Sequence, residues 1–254
     1  MTETNAAYIG QRVAVYDQKR HRQTEWQREN AIVRQWCSTV PTGSRVLDIP
    51  CGTGRLFPFF FARGLRVVGA DLSEEMMAMI PDALRTSPLL EGLERCDAAD
   101  LPYPDGHFDY VVCLRLFHLG GLPKEVQDRI LVELMRVAAK GMVLHVCLEG
   151  SLVSRAMDWT WRVWREGPAA ALRVAAKKLR RRALAGRASR LDVPPAAGAK
   201  RRPTSVVWNR EELGRAFAAG GFQVVQEYGA ISPFSSKKIL VTTRTSGLPS
   251  AAAA

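Results

Sequence analysis

The sequence predicts an α/β fold built on a mainly parallel sheet. Four short apolar runs have the length and side-chain content of buried strands, at residues 46–49, 66–70, 109–114 and 142–148. The segments between the first three runs, and between the last two, are long enough for the helical crossovers that parallel strands require. The first run leads directly into a turn with two glycines and then a helix, as in α/β sheets that bind nucleotide-like ligands.

A polar helical stretch precedes the first strand. Residues 8–37 carry an intermittent apolar face made mostly of aromatic and branched side chains: Tyr8, Tyr16, His21, Trp26, Ile32, Val33 and Trp36. Apolar residues at helical spacing mark the side of a helix that packs on a core. We therefore expect residues 1–44 to form an N-terminal helical cap over the ligand pocket.

The stretch from Val46 to Arg55, VLDIPCGTGR, predicts a cradle for a nucleotide cofactor. Gly52 and Gly54 can adopt backbone angles that other residues avoid, and without a Cβ atom they let a ligand lie against the main chain. The next apolar run ends in Asp71, seventeen residues after Gly54. A carboxylate at that place is suited to accept hydrogen bonds from a ribose.

Features that this turn lacks narrow the class of ligand. The dinucleotide fingerprint has a third glycine three positions after the second, and this sequence has Phe57 there. No GxxxxGK(S/T) run occurs, so the sequence lacks the phosphate-binding loop for ATP or GTP. Asp48 precedes the glycines, and a carboxylate there favours a ligand with an ammonium group and no phosphates.

Further elements follow toward the C-terminus. Residues 123–139 carry apolar side chains at helical spacing before Gly141, which is expected to end that helix. Another helix and two strands are predicted at 210–219, 221–225 and 239–243. The tail, residues 245–254, is small and polar and is expected to be disordered.

Residues 151–205 form an insertion that concentrates the positive charge of the chain. Its part from 172 to 202 holds eleven Lys or Arg residues and one acid, and so supplies +10 of the net charge of +11. Residues 152–166 predict a tryptophan-rich helix, and the helix after it carries basic side chains around a narrow apolar stripe. Residues 193–203, rich in proline and alanine, are expected to be a flexible connector.

Three interpretations of this basic insertion stay open. Aromatic and basic side chains on an amphipathic helix pair suit the headgroup zone of an anionic membrane, which would be contacted through residues 152–202. The same helices can instead form a lid over the core with a solvated cationic face. Contact with RNA is the third interpretation and the least favoured of the three.

The composition is that of a soluble enzyme. A chain of 254 residues with 47% hydrophobic content can bury one sizeable core. The first thirty residues lack the basic head and apolar stretch of a leader peptide, and no run is long enough to span a bilayer. We expect a cytoplasmic protein, with peripheral attachment to the inner face of the membrane as an alternative. The five scattered cysteines, without a CxxC pair, are expected to be reduced and buried.

Three segments together resemble the successive signature segments of class I S-adenosylmethionine-dependent methyltransferases, and most of all the type 11-like, small-molecule group. They are VLDIPCGTGR, VVGADLSEEMM and CDAADLPYPDGHFDYVVCLRLFHL, in the family's order and spacing within residues 45–148. The resemblance implies S-adenosylmethionine as the cofactor. It also implies a Rossmann-like, doubly wound sheet of seven mostly parallel strands with an antiparallel C-terminal edge. Residues 45–150 would then bind the cofactor, and residues 206–244 would complete the sheet.

The same resemblance implies a set of cofactor-binding residues: Asp48, Pro50, Gly52, Gly54, Asp71, Leu72, Asp97, Ala98 and Leu114. Asp71 would accept both ribose hydroxyls, and Asp97 and Ala98 would lie beside the adenine. Asp48 and Leu114 would lie near the methionine ammonium. Each residue singly has an ordinary structural explanation, because glycines form turns and carboxylates cap helices. Their common order and spacing favour the cofactor site.

Methyl transfer from a sulfonium needs chiefly in-line positioning of the acceptor in a water-poor pocket. Where the acceptor must lose a proton, His118 is the candidate base, because it follows the strand predicted at 109–114, at the edge where α/β sheets bind ligands. Arg115 lies next to the same edge and is suited to hold an anionic acceptor. A purely structural role for His118 is the alternative.

The sequence favours an oxygen, nitrogen or carbon atom of a small-molecule or lipid-linked acceptor as the site of methylation. The (D/N)PP(Y/F) segment typical of DNA and some RNA amino-methyltransferases is replaced by CLRL at residues 113–116. Nucleic acid is therefore the less favoured partner, and no metal is expected. The alternatives are an RNA methyltransferase that uses the basic insertion and a non-catalytic cofactor-binding scaffold at a membrane.

Overall fold

The computed structural model describes residues 24–117, 122–149, 208–230 and 237–245, with isolated positions between 156 and 176. These ranges leave out residues 1–23 of the predicted cap and most of the basic insertion. They also leave out His118 and nearly all of the C-terminal tail. The elements in chain order are α1 (Thr24–Thr39), β1 (Arg45–Asp48), α2 (Phe57–Ala62), β2 (Arg66–Asp71), α3 (Glu74–Ala78), α4 (Asp82–Arg85), β3 (Leu90–Arg95), β4 (Phe108–Cys113), α5 (Lys124–Val137), β5 (Ala138–Cys147), α6 (Arg210–Ala219), β6 (Phe222–Gly229) and β7 (Lys237–Arg244).

The seven strands form one sheet in the order β3-β2-β1-β4-β5-β7-β6. Strands β1 to β5 pair in parallel, whereas β7 pairs antiparallel with both β5 and β6. The predicted fold class is therefore confirmed, including the antiparallel C-terminal edge. The chain winds outward in one direction from β1 to β3 and in the other from β4. The crevice between β1 and β4 is consequently the topological switch point, where open α/β sheets bind ligands.

Both faces of the sheet are covered, because successive apolar residues along a buried strand point to opposite sides. In β1, Val46 packs in a core cluster that contains Val33 of α1 and Phe57 of α2. The next residue, Leu47, packs in the other cluster, which contains Leu134 of α5 and residues of α6. Helices on both sides of a mainly parallel sheet are the doubly wound arrangement.

Polar caps fix where two of the helices begin. The Ser73 Oγ accepts a hydrogen bond from the Met76 N–H at the start of α3. At the start of α6, the Asn209 side-chain oxygen accepts from the N–H groups of Glu211 and Glu212. Each cap satisfies donors that the first helical turn leaves unpaired. Among the described helices, none has both the length and the apolar character needed to cross a membrane.

The passage from α5 to β5 differs from the prediction. Helix α5 ends at Val137 and β5 begins at Ala138, so no loop separates them. The prediction that Gly141 ends the helix was wrong, since Gly141 lies inside β5 and pairs with Thr243 of β7. A Cβ atom on Gly141 would collide with the carbonyl oxygen of Thr242. The glycine therefore permits close approach of two strands, a recurrent use of glycine in sheets.

Strand β3 was not predicted as a strand. Its sequence, LEGLER, has only two apolar side chains, and all six of its residues are half-buried or exposed. The strand lies at the edge of the sheet and, among the described strands, pairs with β2 alone. An edge strand with little burial lacks the apolar run by which buried strands are recognised in a sequence.

The cysteines are free thiols, as predicted. Cys37, Cys51, Cys113 and Cys147 are buried and Cys96 is half-buried. Burial raises the pKa of Cys37 to about 12 and that of Cys96 to about 11. A thiol with so high a pKa carries little thiolate at neutral pH, and the thiolate is the reactive form.

Candidate active site

The carboxyl ends of four neighbouring strands bring the predicted residues to one edge of the sheet. Asp48 ends β1 and Asp71 ends β2. Asp97 follows two residues after β3, and Leu114 directly follows β4. Because these strands are parallel neighbours in the order β3-β2-β1-β4, the four positions lie along a single edge that includes the switch point.

The turn after β1 depends on its glycines. Gly52 has a φ of +56° and Gly54 a φ of +71°, a left-handed conformation that residues with a Cβ atom rarely adopt. Space is also tight at Gly54, where a Cβ atom would lie 3.1 Å from both Ile80 Cγ2 and Phe57 Cδ2. The turn therefore exposes its main chain, and most other residues at positions 52 and 54 would strain that conformation. This property is the one expected of a cofactor cradle.

Asp71 ties this turn to the end of β2. Its Oδ2 accepts a hydrogen bond from the Gly52 N–H at 2.8 Å, and its Oδ1 accepts from the Ser73 N–H at 2.9 Å. Each carboxylate oxygen can accept a second hydrogen bond, so both retain capacity for a ligand hydroxyl. Burial raises the pKa of Asp71, against the effect of these backbone hydrogen bonds. The ribose contact stays a prediction, and this geometry is compatible with it.

Asp48 is a buried carboxylate with an unsatisfied oxygen. Its residue is 2% exposed, and its Oδ2 has no hydrogen-bond partner in the described part of the chain. Burial raises the pKa of Asp48 to about 8; the charge of Arg55 opposes this shift and that of Asp71 adds to it. Buried polar atoms without partners are rare in folded proteins. An ammonium group is a partner that would satisfy this oxygen and stabilise its charge.

The other predicted cofactor residues lie nearby but give weaker indications. Asp97 is exposed, and its Oδ1 accepts from the Ala99 N–H at 2.9 Å, while Ala98 is buried in the core. Pro50 and Leu72 are half-buried after β1 and β2. The adenine contacts of Asp97 and Ala98 stay predictions.

A buried ion-pair cluster, which we call the Glu29 cluster, was not predicted. It consists of Glu29, Arg55, Arg115, His145 and Trp26. The Glu29 side chain is fully buried, and its Oε2 lies 2.8 Å from Arg115 Nε and 3.2 Å from Arg55 Nη2. Its Oε1 lies 3.3 Å from His145 Nδ1. The two guanidinium groups lie 4.9 and 5.7 Å from the centre of the Trp26 ring.

The charges around Glu29 keep its carboxylate ionised. Burial alone would raise its pKa, but the hydrogen bond from His145 and the charges of Arg55, His145 and Arg115 lower the pKa to about 2. The sequence did contain a signal for this residue. Glu29 is three residues after Trp26 and seven before Trp36, which places it on the buried face of α1. A charged residue on an apolar helix face needs a partner in the core.

Arg115 and His118, the two predicted catalytic residues, have different outcomes. Arg115 lies at the predicted edge, immediately after Leu114, and donates a hydrogen bond to Glu29. Its part in holding an anionic acceptor stays a prediction. His118 lies outside the described residues, so its part as a base also stays a prediction.

One group of side chains has the composition of a metal site. In Glu25, Glu29 and His145, the possible ligand atoms lie within 4.8 Å of one another. Cations already pair with the two carboxylates, since Lys237 Nζ lies 2.7 Å from Glu25 Oε1 and Arg115 Nε lies 2.8 Å from Glu29 Oε2. Both carboxylates thus already have cationic partners, and adding a divalent cation would bring like charges together.

Comparison with protein families decides which class of α/β domain this is. Residues 46–141, from β1 into β5, match the model of a methyltransferase domain. Residues 46–141 belong to the class I S-adenosylmethionine-dependent methyltransferases. The predicted family is thus confirmed, and so is the predicted cofactor, since S-adenosylmethionine is the methyl donor of that family. The match covers the glycine turn, Asp71 and the end of β4, the features that frame the edge described above.

Curated relatives of the methyltransferase domain act on different acceptors. The 2-phytyl-1,4-naphtoquinone methyltransferase of Synechococcus elongatus is 40% identical over 81 residues, 30% of this chain and 34% of the relative. The phosphatidylethanolamine N-methyltransferase of Cereibacter sphaeroides is 35% identical over 101 residues, 39% of this chain and 47% of the relative. The chain thus spans less than half of the length of either relative.

Solved structures share the fold over more of the chain. Magnesium protoporphyrin IX methyltransferase from Synechocystis PCC 6803, crystallised with bound S-adenosylmethionine, matches 87% of this chain and 80% of its own with a TM-score of 0.55. Its sequence identity is 17%, so this likeness concerns the fold alone. It extends beyond the methyltransferase domain to the C-terminal part of the sheet.

Proposed function

We propose that the protein is an S-adenosylmethionine-dependent methyltransferase that acts on a small-molecule or lipid-linked acceptor. The observation that carries the proposal is the joined pair of cofactor features. A left-handed glycine turn after β1 is hydrogen-bonded to the carboxylate that ends β2, at the carboxyl edge of a doubly wound sheet. The match of residues 46–141 to the methyltransferase domain supports the same assignment.

The residues at this edge are suited to bind the methionine and ribose portions of the donor. The main chain at Gly52 and Gly54 would lie against the methionine and ribose portions, and Asp71 would accept hydrogen bonds from the ribose hydroxyls. The unsatisfied oxygen of Asp48 would accept from the ammonium. S-Adenosylmethionine, when bound, supplies an electrophilic methyl carbon and departs as a neutral thioether. The protein then has to orient the acceptor and exclude water. Leu114, an apolar residue that is 4% exposed at this edge, is suited to help exclude water.

Donor binding tests the assignment of Asp71. We expect isothermal titration to give a dissociation constant for S-adenosylmethionine in the micromolar range, as is ordinary for enzymes and their substrates. The Asp71→Ala variant should bind at least about tenfold more weakly, because it loses charge-assisted hydrogen bonds to the ribose. Asp82→Ala, which removes an exposed carboxylate of α4, is the matched control and should bind like the wild type. Equal affinity of the Asp71→Ala variant and the wild type would refute the ribose contact.

Two observations favour a lipid-soluble acceptor within the small-molecule class. Both relatives described above, by their names, methylate molecules with long hydrocarbon chains, a phytyl-substituted naphthoquinone and phosphatidylethanolamine. The basic segment 172–202, with its net charge of +10, also suits the surface of an anionic membrane, where such acceptors reside. We therefore propose that the protein is cytoplasmic with peripheral attachment to the inner face of the membrane.

A labelled methyl donor tests this choice of acceptor. The protein is incubated with methyl-labelled S-adenosylmethionine and vesicles that contain either 2-phytyl-1,4-naphthoquinone or phosphatidylethanolamine, and the lipids are then extracted. We expect label in the organic phase with one of the two probes, and clearly less label with the Asp71→Ala variant when the donor is not saturating. Label in neither lipid, together with label in added RNA, would replace the lipid proposal with the RNA alternative. Donor binding without label in any of the three would favour the non-catalytic scaffold.

A further inference from the structure

The backbone after β4 turns in a conformation that its sequence does not favour. Arg115 has a φ of +68° and is the only non-glycine residue with a positive φ in the described part of the chain. Left-handed geometry brings the Cβ atom of an L-residue close to its own carbonyl oxygen and persists only where the surroundings enforce it. Something in the structure must therefore hold Arg115 in place.

The Glu29 cluster supplies that restraint. Arg115 Nε lies 2.8 Å from the buried Glu29 carboxylate, and its guanidinium lies over the Trp26 ring. The Arg115 side chain is only 11% exposed, and Arg55 and His145 hold the Glu29 carboxylate from other directions. A guanidinium held by a buried carboxylate has little freedom to follow a different backbone conformation.

The turn at Arg115 connects two separate parts of the core. Leu114, before it, is buried in the core cluster that includes α1 and α2. Phe117, after it, is buried in the cluster on the opposite face of the sheet, with α5 and α6. The chain thus crosses the carboxyl edge of the sheet within three residues. The conformation of Arg115 determines how the main chain around Leu114 is presented at the switch point.

We propose that Glu29 is a positioning residue, which acts through Arg115 to hold the left-handed turn after β4 and so preserves the donor-binding edge. The link to the donor rests on the proposed function, whereas the restraint of the turn does not. In this arrangement the cap helix α1 takes part in the site without touching the donor. Loss of the restraint would let residue 115 relax, and donor binding would then have to restore the turn at a cost in affinity.

Substitutions at Arg115 separate the backbone from the side chain. Arg115→Ala and Arg115→Gly both remove the guanidinium, but only glycine adopts the left-handed conformation without strain. We expect R115A and Glu29→Gln each to weaken the affinity for S-adenosylhomocysteine about tenfold in isothermal titration, as the strain of one such residue implies. R115G should remain within about threefold of the wild type. In the R115G background, Glu29→Gln should cause no further loss, because the turn no longer needs the carboxylate.

A second ion pair of the cap helix supplies the control. Lys237 of β7 contacts Glu25 of α1 at 2.7 Å, so Lys237→Met removes one ion pair of α1 but neither partner of the Arg115–Glu29 ion pair. Its affinity for S-adenosylhomocysteine should stay within about twofold of the wild type. Equal weakening by R115G and R115A, or wild-type affinity of Glu29→Gln, would overturn the proposal.

Thermal melting provides a readout that does not depend on the donor. Glu29→Gln should lower the Tm clearly in the wild-type background and less in the R115G background, since the two changes remove the same restraint. Additive losses of Tm would overturn the proposal even in a protein that binds no donor. Absence of donor binding in the wild type, with non-additive melting, would instead refute the proposed function and leave the restraint of the turn supported.

Discussion

Two buried carboxylates at the candidate site have opposite electrostatic surroundings. Burial raises the pKa of Asp48 to about 8; the charge of Arg55 opposes this rise only in part, and the charge of Asp71 adds to it. Glu29 is enclosed by Arg55, Arg115 and His145, and its pKa is lowered to about 2. Burial disfavours charge at both positions: at Asp48 the effect of burial prevails, whereas at Glu29 the neighbouring cationic groups overcome it. Asp48 is therefore the group whose charge a bound cation would change most.

The raised pKa of Asp48 predicts a specific dependence of stability on pH. Between pH about 4 and 8 the unfolded chain loses this proton while the native protein retains it, so the free energy of unfolding falls as pH rises. Asp48→Asn removes that dependence. We expect the variant to be more stable than the wild type at pH 8, by on the order of 3 kcal/mol. The Tm difference between them should grow from pH 5 to 8 and then level off, as measured by thermal melts.

Asp109 is a matched control with the opposite sign. Burial would raise its pKa, but hydrogen bonds from Lys140 and the Arg45 N–H, with the charges of Lys140 and Arg66, lower it. Asp109→Asn should therefore be less stable than the wild type at neutral pH, and this difference should shrink as pH falls through the range where the carboxylate is protonated. A Tm difference for Asp48→Asn that is constant with pH would contradict the assignment of its raised pKa.

The residues of the donor-binding edge are recognisable in the sequence, whereas the Glu29 cluster is not. Gly52, Gly54 and Asp71 follow strands at fixed spacing, so local sequence is sufficient to recognise them. The Glu29 cluster joins residues from α1, the glycine turn, the end of β4 and the middle of β5. Its members are up to 119 positions apart in the chain, from Trp26 to His145, and only the tertiary fold determines that they meet.

At the scale of elements, burial explains which strands were predictable. Strand β4 has a run of fully buried residues, Val111 to Cys113, and its apolar sequence was recognised. Among the described strands, β3 pairs with one neighbour, and all its residues are half-buried or exposed, so its sequence has two apolar residues and no continuous apolar run. The direct passage from α5 into β5 was missed for a different reason. Gly141 follows a helical pattern closely, and a glycine there has the usual appearance of a helix end.

Two glycines in different elements should respond oppositely to the same substitution. Gly141→Ala places a Cβ atom against the carbonyl oxygen of Thr242 between β5 and β7, so we expect a loss of about 1–3 kcal/mol in the free energy of unfolding. Gly214→Ala lies on the exposed side of α6 with no atom within 4 Å of the new Cβ, and should gain about 0.5–1 kcal/mol. Urea denaturation measures both. A stable Gly141→Ala variant would mean that β5 and β7 pair less closely than described.

At the scale of the whole molecule, positive charge is segregated in one part of the chain. Outside residues 172–202 the chain has 25 basic and 24 acidic residues, so its remaining net charge is +1. Charge confined to one segment directs that segment, rather than the whole surface, toward an anionic partner. This asymmetry is visible in the sequence, whereas the partner is not, because lipid headgroups and nucleic acid phosphates attract the same side chains.

Vesicle sedimentation tests whether the basic segment 172–202 binds an anionic membrane. We expect the full chain to sediment with phosphatidylglycerol vesicles at 10 mM salt and to be released at 150 mM or above, because the Debye length falls from about 30 to 8 Å. Deletion of 172–202 should abolish sedimentation. A milder variant with the five basic residues Lys177, Lys178, Arg180, Arg181 and Arg182 replaced by glutamine should weaken it. Neutral phosphatidylcholine vesicles are the control, and failure to sediment with anionic vesicles at low salt would remove the membrane proposal.

The position of β7 between β5 and β6 has a consequence for biosynthesis. Strand β5 carries His145 of the Glu29 cluster, and seven of its residues pair with β7, from Gly141 to Cys147. Until a ribosome has released residues 237–244, this apolar edge has no neighbour on that side. A nascent chain therefore exposes an unpaired, aggregation-prone strand edge after β5 has been synthesised and before β7 can pair with it. We expect chaperones to bind the chain mainly during that interval.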